Sequence, residues 1–269
     1  MSDYLNADGT PKLDTIHNAD ALELLRALPD GCVNAVITDP PYGLFGAVMI
    51  TRPDTGGEYN RINEEWDKYA PISWMAECGR ILKPGGSVLC FGVRQSIYSF
   101  ANEGLRLGWR LLNDITWYKP DATPNFTGRL LTESTERILW FCPDGKRWTY
   151  NREVAKQLNG GVGLRDVWTF GQTREERINP AQKPLALMER IVKLFTRPGD
   201  VVVDPFAGGG TTLQAARING RHYIGSEIRS EQVNKTRARL GQAYTPDMFD
   251  AIDTPAPPRV VQRGLFEEE

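Results

Sequence analysis

Histidine and cysteine are scarce in this chain of 269 residues, with two of the first and four of the second. Cys32, Cys78, Cys90 and Cys142 lie far apart with no Cys-x-x-Cys pair, so neither a zinc site nor a redox dithiol suggests itself. Long apolar runs are missing as well. No stretch approaches the roughly 18 residues that a membrane span requires, and the first residues, MSDYLNADGTPK, are polar, so the expectation is a cytoplasmic protein without a membrane partner. Charge of one sign is not in excess either: the formal net charge is -2, so any contact with nucleic acid must rest on a local basic patch. There is no GxGxxG spacing, no lysine-bearing phosphate loop and no internal repeat.

What the chain does have is material for a core. With 41% hydrophobic residues and this length, the expectation is one α/β domain. Short β-branched runs alternate with longer amphipathic segments, the pattern of a doubly wound, mostly parallel sheet. Strands are expected at the start of DTIHNADALELLRALPD and in VNAVITD, SVLCFG, WRLLNDITWYK, ERILWFC, GDVVVD and RHYIGSE. Helices are expected in DALELLRAL, YAPISWMAECGRIL, RQSIYSFANEGLRLG, LALMERIVKLFT, LQAARING and RSEQVNKTRARL. Residues 44 to 65 carry Gly56 and Gly57 and no sustained period, which reads as a long mobile loop. Between Pro143 and Pro184 the pattern dissolves, so residues 144–178 read as an insertion between two halves of one domain, 13–143 and 179–240, with 241–269 as a tail.

Two stretches carry chemistry. In VVVDPFAGGGTT a strand runs into consecutive glycines and a helix start, which brings backbone close to a ligand and leaves helix amides free to bind it. Glu227 closes the next strand, HYIGSE, about 20 residues on, where a dinucleotide-type fold places an acid against ribose hydroxyls. Taken singly, the turn could be structural and Glu227 an ordinary strand-end carboxylate. The other stretch is TDPPYG behind VNAVI. Pro40 and Pro41 remove two amide donors, so the Asp39 carboxylate and the Pro40 carbonyl face a ligand as acceptors only, and the flat ring of Tyr42 can stack on a heterocycle. The natural guest is a base with an exocyclic amine.

These stretches, DPPYG at 39 to 43, RILKPGGSVLCFG at 80 to 92, NPAQKPLALMERIV at 179 to 192 and DPFAGGGTTLQAA at 204 to 216, resemble the β-group amino methyltransferases of DNA, in which the catalytic corner precedes the cofactor glycines. The resemblance spans roughly residues 13 to 240; Asn179 stands where many relatives have histidine. It implies a Rossmann-like, seven-stranded methyltransferase sheet with a small target-recognition insertion, and S-adenosylmethionine as cofactor. It further implies that Asp204, Phe206, Ala207, Gly208 and Gly210 surround the methionine part, with Thr211 and Thr212 opening the helix and Glu227 holding the ribose. Asp20 matches an acidic position near the adenine, and Gln182 and Lys183 match a segment that closes over the cofactor; read alone, Asp20 is a helix N-cap and Lys183 a surface charge. Asp39, Pro40, Pro41 and Tyr42 would form the catalytic corner, with Asp39 either accepting the departing proton or orienting the amine. No covalent intermediate is needed, in keeping with Cys142 preceding Pro143 rather than following a proline as in C5-cytosine enzymes.

The implied partner is double-stranded DNA, with a homodimer and a cognate restriction endonuclease as further partners of this kind of enzyme. The target base must leave the stack, and Trp66, Trp117 and Trp148 are further aromatic candidates at that surface. Lys146, Arg147, Arg152, Lys156, Arg165, Arg174 and Arg177 outnumber the acids between 145 and 178 and form the expected basic patch, with Arg52 and Arg61 adding to it. Aspartate at the corner favours adenine N6 over cytosine N4, where serine is usual. A silent DNA-binding subunit and a nicotinamide dehydrogenase are the readings from other classes, and cofactor binding separates them.

Overall fold

The computed structural model of the protein describes residues 3–43, 48–50, 59–61, 72–94, 96–124, 129–173, 178–179 and 181–242. In chain order the elements are β1 (Thr15–Asn18), α1 (Ala21–Ala27), β2 (Val33–Thr38), β3 (Val48–Ile50), β4 (Tyr59–Arg61), α2 (Trp74–Ile81), β5 (Leu82–Gly92), α3 (Ile97–Arg106) and β6 (Arg110–Tyr118). There follow β7 (Thr135–Cys142), α4 (Arg152–Gln157), β8 (Val167–Thr169), α5 (Leu185–Phe195), β9 (Val201–Asp204), α6 (Thr211–Ile218), β10 (His222–Glu227) and α7 (Ser230–Gly241). None of the helices among the described residues is long and apolar enough to cross a membrane.

Eight strands form one sheet in the order β1-β10-β9-β2-β5-β7-β6-β8, in which only β7 runs against its neighbours. The seven expected strands are all in it. The eighth, β8, comes from the segment read as an insertion and pairs with β6 through Thr116, Trp117 and Tyr118. Its three residues, VWT, are too few to carry a periodic signal, so the edge position comes from pairing rather than from local pattern. In the segment read as a loop, β3 and β4 pair as a two-stranded antiparallel ribbon; the rest of residues 44–65 lies outside the described residues.

Both faces of the sheet are covered, and alternation along each strand divides its side chains between them. Leu89, Phe91, Ile138, Trp140 and Val202 enter one core with α5, α6 and α7, while Val88, Cys90, Leu139, Phe141 and Val203 enter the other with α1, α2 and α3. KPGG follows α2 after one intervening residue. It sits inside β5, where the register against β2 jumps from Val33–Leu82 to Ala35–Ser87 and Gly85 takes φ +81°.

Because β1, β10, β9, β2 and β5 are parallel, their C-terminal ends share one edge of the sheet. Crossovers leave β9 and β2 in opposite directions, which makes the gap between them the switch point where open α/β sheets bind ligands.

Candidate active site

Asp39 follows β2 and Asp204 closes β9, so the two carboxylates flank that gap. Thr38 joins them, its hydroxyl donating to Asp204 Oδ1 at 2.8 Å. The same oxygen accepts the Phe206 amide at 3.1 Å, which turns the chain sharply after the strand. Burial pushes the Asp204 carboxyl up to about 6, against the opposing pull of its bonds to Thr212, Thr38 and the Phe206 amide.

The glycine turn is tied to its surroundings by backbone bonds. Ala207 donates to Ser226 O, Gly210 donates to Ala207 O, and the Thr236 hydroxyl and Arg239 guanidinium donate to the carbonyls of Gly208 and Gly209. Gly208 and Gly210 sit at φ +48° and +69°, a region that favours glycine, and Thr211 and Thr212 are buried at the helix start. A Cβ on Gly210 would lie 2.3 Å from Thr236 Cγ2. Gly210→Ala is therefore expected to destabilise the protein by about 2–4 kcal/mol, from the left-handed backbone and the overpacking together. A lower urea midpoint at unchanged slope would show it, and an unchanged midpoint would refute it.

Glu227 is buried at the end of β10, where Oε1 accepts the amide and guanidinium of Arg229 at 2.9 and 3.0 Å. Asp20 is the N-cap of α1, accepting the Leu22 amide at 2.8 Å, and it follows β1, whose last residue Asn18 donates to the carbonyls of Glu227 and Ile228. From Asp20 to Asp39 the edge therefore spans three strand spacings, roughly 14 Å. Gln182 lies against the same turn, its Oε1 3.0 Å from where a Cβ on Gly209 would stand.

Lys183, the next residue, goes elsewhere. Its ammonium donates to Asp39 Oδ2 at 2.5 Å and to the Tyr42 hydroxyl at 3.1 Å, and it stands 3.2 Å from Glu136 Oε2. Tyr42 in turn donates to Asp39 Oδ1, and Lys119 donates to Glu136 Oε1 at 3.1 Å. The aromatic faces of Tyr42 and Phe91 each lie 5.3 Å from the Lys183 nitrogen. Two carboxylates and two ammoniums thus balance within one largely buried cluster, with Asp39 at its exposed side. Burial raises the Asp39 carboxyl, with Lys183 opposing. Burial would raise Glu136 too, but the two ammoniums outweigh it and hold it low. Burial works against the Lys183 charge, and Asp39 and Glu136 reverse that, so its pKa is raised.

The N6_N4_Mtase family model, described as DNA methylase, matches residues 33–238. The chain belongs to this DNA amino-methyltransferase family. It is 32% identical over 278 residues to the Type II methyltransferase M.HinfI of Haemophilus influenzae, covering 96% of this chain and 77% of that protein. It is also 32% identical to M2.LlaDCHI of Lactococcus lactis subsp. cremoris, over 85% of this chain and 89% of the relative. Among solved structures, the complex of M1.HpyAVI with S-adenosylmethionine superposes with a TM-score of 0.64 at 27% identity, covering 84% of this chain and 98% of that one. The cytosine-N4-specific PvuII DNA methyltransferase shares the fold at a TM-score of 0.66 and 22% identity, over 87% of this chain and 88% of its own.

The cofactor of this methyltransferase family is S-adenosylmethionine, and the residues present suit it. The edge offers carboxylates at both ends of a nucleoside-sized span and a glycine turn between them. Gln232 Nε2, one turn before Thr236 on α7, is a buried donor with no partner among the described residues. Glu227, the 206–210 turn, Asp20 and Gln182 are the residues that would hold the cofactor. Lys183, expected beside Gln182, is instead engaged at Asp39.

Of the basic residues expected to form a patch, Lys146, Arg147 and Arg152 lie away from Asp39. Because β7 is antiparallel, it ends at the opposite edge of the sheet from Asp39. There Asp144 accepts the Gly85 amide and Cys142 Sγ donates to Arg147 O, which places Lys146 and Arg147 by the start of β5. Asn151 donates to the carbonyls of Lys193 and Thr196 at the C-terminal end of α5, so Arg152 lies at that far edge as well. Lys156 pairs with Glu153 on α4, and exposed Arg165 precedes β8. Arg52, Arg174 and Arg177 lie outside the described residues, and of Arg61 only the backbone, in β4, is described. Trp117 is buried, donating to Phe170 O, and Trp148 stands under Arg110 at the far edge; Trp66 lies outside the described residues. Glu136 and Lys119 were not singled out from sequence. Their one signal is a charge just past the end of β6 and another at the start of β7, in WYKP and STERILWF, which antiparallel pairing brings to the same end of the two strands.

Proposed function

We propose that the protein transfers the methyl group of S-adenosylmethionine to the N6 amine of an adenine flipped out of duplex DNA. The observation that carries this reading is the Asp39 carboxylate, standing beside Tyr42 at the switch point, one strand from the glycine turn. The cofactor supplies an electrophilic methyl on a good leaving group. What remains for the chain is to make a poor nucleophile point at it. An aromatic amine delocalises its lone pair into the ring. Hydrogen bonds from the amine to Asp39 and to the Pro40 carbonyl favour a pyramidal nitrogen whose lone pair faces the methyl, and the surplus N–H proton of the methylated amine leaves to Asp39 or to solvent. Pro40 is buried and has no amide hydrogen, so the corner presents acceptors to the amine. Alignment of this kind supplies up to about 7–11 kcal/mol in the best intramolecular systems. Stacking on Tyr42 offsets part of the few kcal/mol that extrusion of the base costs.

The fold does not choose the base, because the cytosine-N4-specific PvuII enzyme has it too. The aspartate favours adenine. To test this, unmethylated genomic DNA is incubated with the protein and cofactor, digested to nucleosides and analysed by mass spectrometry. N6-methyladenine is expected. N4-methylcytosine alone would overturn the choice of base and leave the class standing, and no modified base from a preparation that binds cofactor and DNA would overturn both.

A further inference from the structure

The catalytic corner as read above leaves one largely buried carboxylate, Glu136, unused. We infer that Glu136, held in place by Lys119, is a positioning residue that takes over the Lys183 ammonium when the target amine claims Asp39. The inference rests on the amino-methyltransfer reading. Both oxygens of Asp39 are engaged, one by the Tyr42 hydroxyl and the other by Lys183 at 2.5 Å. An incoming amine must compete for them. The Lys183 side chain is only 8% exposed, so its ammonium cannot turn to water as it yields, and an unpaired charge left there would be strongly unfavourable. Glu136 Oε2 already stands 3.2 Å from that nitrogen. Its other oxygen is fixed by Lys119, whose own side chain is 9% exposed, across the β6–β7 pair. Lys183 can therefore pass from one carboxylate toward the other with the cluster's charge unchanged and with no proton moved.

A carboxylate that only braced β7 against β6 would need Lys119 and not Lys183, and the two roles differ in the pH dependence of the rate. The groups that face Asp39 are Lys183 ahead of α5, Glu136 on β7, Tyr42, Cys90 on β5 and Asp204 on β9. Glu136→Gln removes a neighbouring negative charge and leaves Lys183 to Asp39 alone. The rate of methyl transfer should fall on the order of 10- to 100-fold, and its acidic limb should move to lower pH. Lys119→Met leaves Glu136 free to draw Lys183 toward itself, so the acidic limb should move to higher pH. Glu136→Asp keeps the charge and should restore the wild-type limb with part of the rate.

All four proteins are assayed across pH on DNA carrying the target base, with cofactor affinity measured by calorimetry. Opposite displacements in the Gln and Met variants, at near-constant cofactor affinity, support the role. A reduced rate with unmoved limbs in both variants means that Glu136 is a brace and overturns it, as does a wild-type rate in Glu136→Gln. Should Glu136→Gln not fold, the Met and Asp variants decide by the same limbs. An inactive wild-type protein would instead overturn the reading of the function, and this inference with it.

Discussion

Asp39→Ala is expected to lower methyl transfer on the order of 10²–10³-fold, the usual cost of removing one preorganised polar partner from a reacting group, while cofactor affinity changes little. The structure says why the two effects separate. Asp39 lies beyond β2, whereas the glycine turn follows β9 and Glu227 closes β10, and the turn's own bonds run to Ser226, Thr236 and Arg239. Removing Asp39 does not strand Lys183, because Glu136 remains 3.2 Å from its ammonium. The fold is thus expected to survive the substitution. Single-turnover transfer of a labelled methyl group, with calorimetry for the cofactor, makes the comparison. Parallel loss of both activities would mean that Asp39 shapes the cofactor site, and a near-normal rate would remove it from the catalytic corner.

The second large effect is one of stability. Asp204 is buried, and its carboxyl is pushed up to about 6 from an ordinary 3.8. Between those values the folded chain holds this proton more firmly than the unfolded chain does. The stability that the group contributes is therefore full below pH 3.8 and lost as the pH rises through about 6. Two pKa units correspond to about 3 kcal/mol, an upper bound for one group. Asp204→Asn keeps an oxygen for the Thr38 hydroxyl and the Phe206 amide and removes the charge. It is expected to stabilise the cofactor-free protein by about 1–3 kcal/mol at pH 8 and to leave it nearly unchanged at pH 4. Cofactor affinity should fall, the trade expected where a strained charge is kept for binding. Urea denaturation at the two pH values measures the first effect. Equal stability changes at both, or a loss at pH 8, would show that the buried charge is not what the native state tolerates there.

The central strands β2 and β9 were legible because parallel strands buried on both faces must be short β-branched runs, and VNAVIT and VVVD read as little else. The glycine turn and the DPPY corner were legible for a related reason. Positive φ demands glycine, an acceptor-only corner suits proline, and both demands are local. β3 and β4, three residues each, are too short to show a period, and β8 has no such signature, since pairing with β6, far back in the sequence, made it a strand. The same holds for the basic residues between 145 and 178. Clustered along the chain, they looked like one surface, but the antiparallel course of β7 carries Lys146, Arg147 and Arg152 to the edge away from Asp39.

The sequence by itself determined the class of chemistry, DNA amino methylation, because the DPPY corner and the glycine turn that mark it each depend on residues that are neighbours along the chain. Only the tertiary structure decided who attends Asp39. Lys183, 144 residues away, pairs with it, and Glu136 and Lys119 join from β7 and the end of β6. Buried charges must find partners in space, and which partners they find is set by strand register rather than by any spacing along the chain.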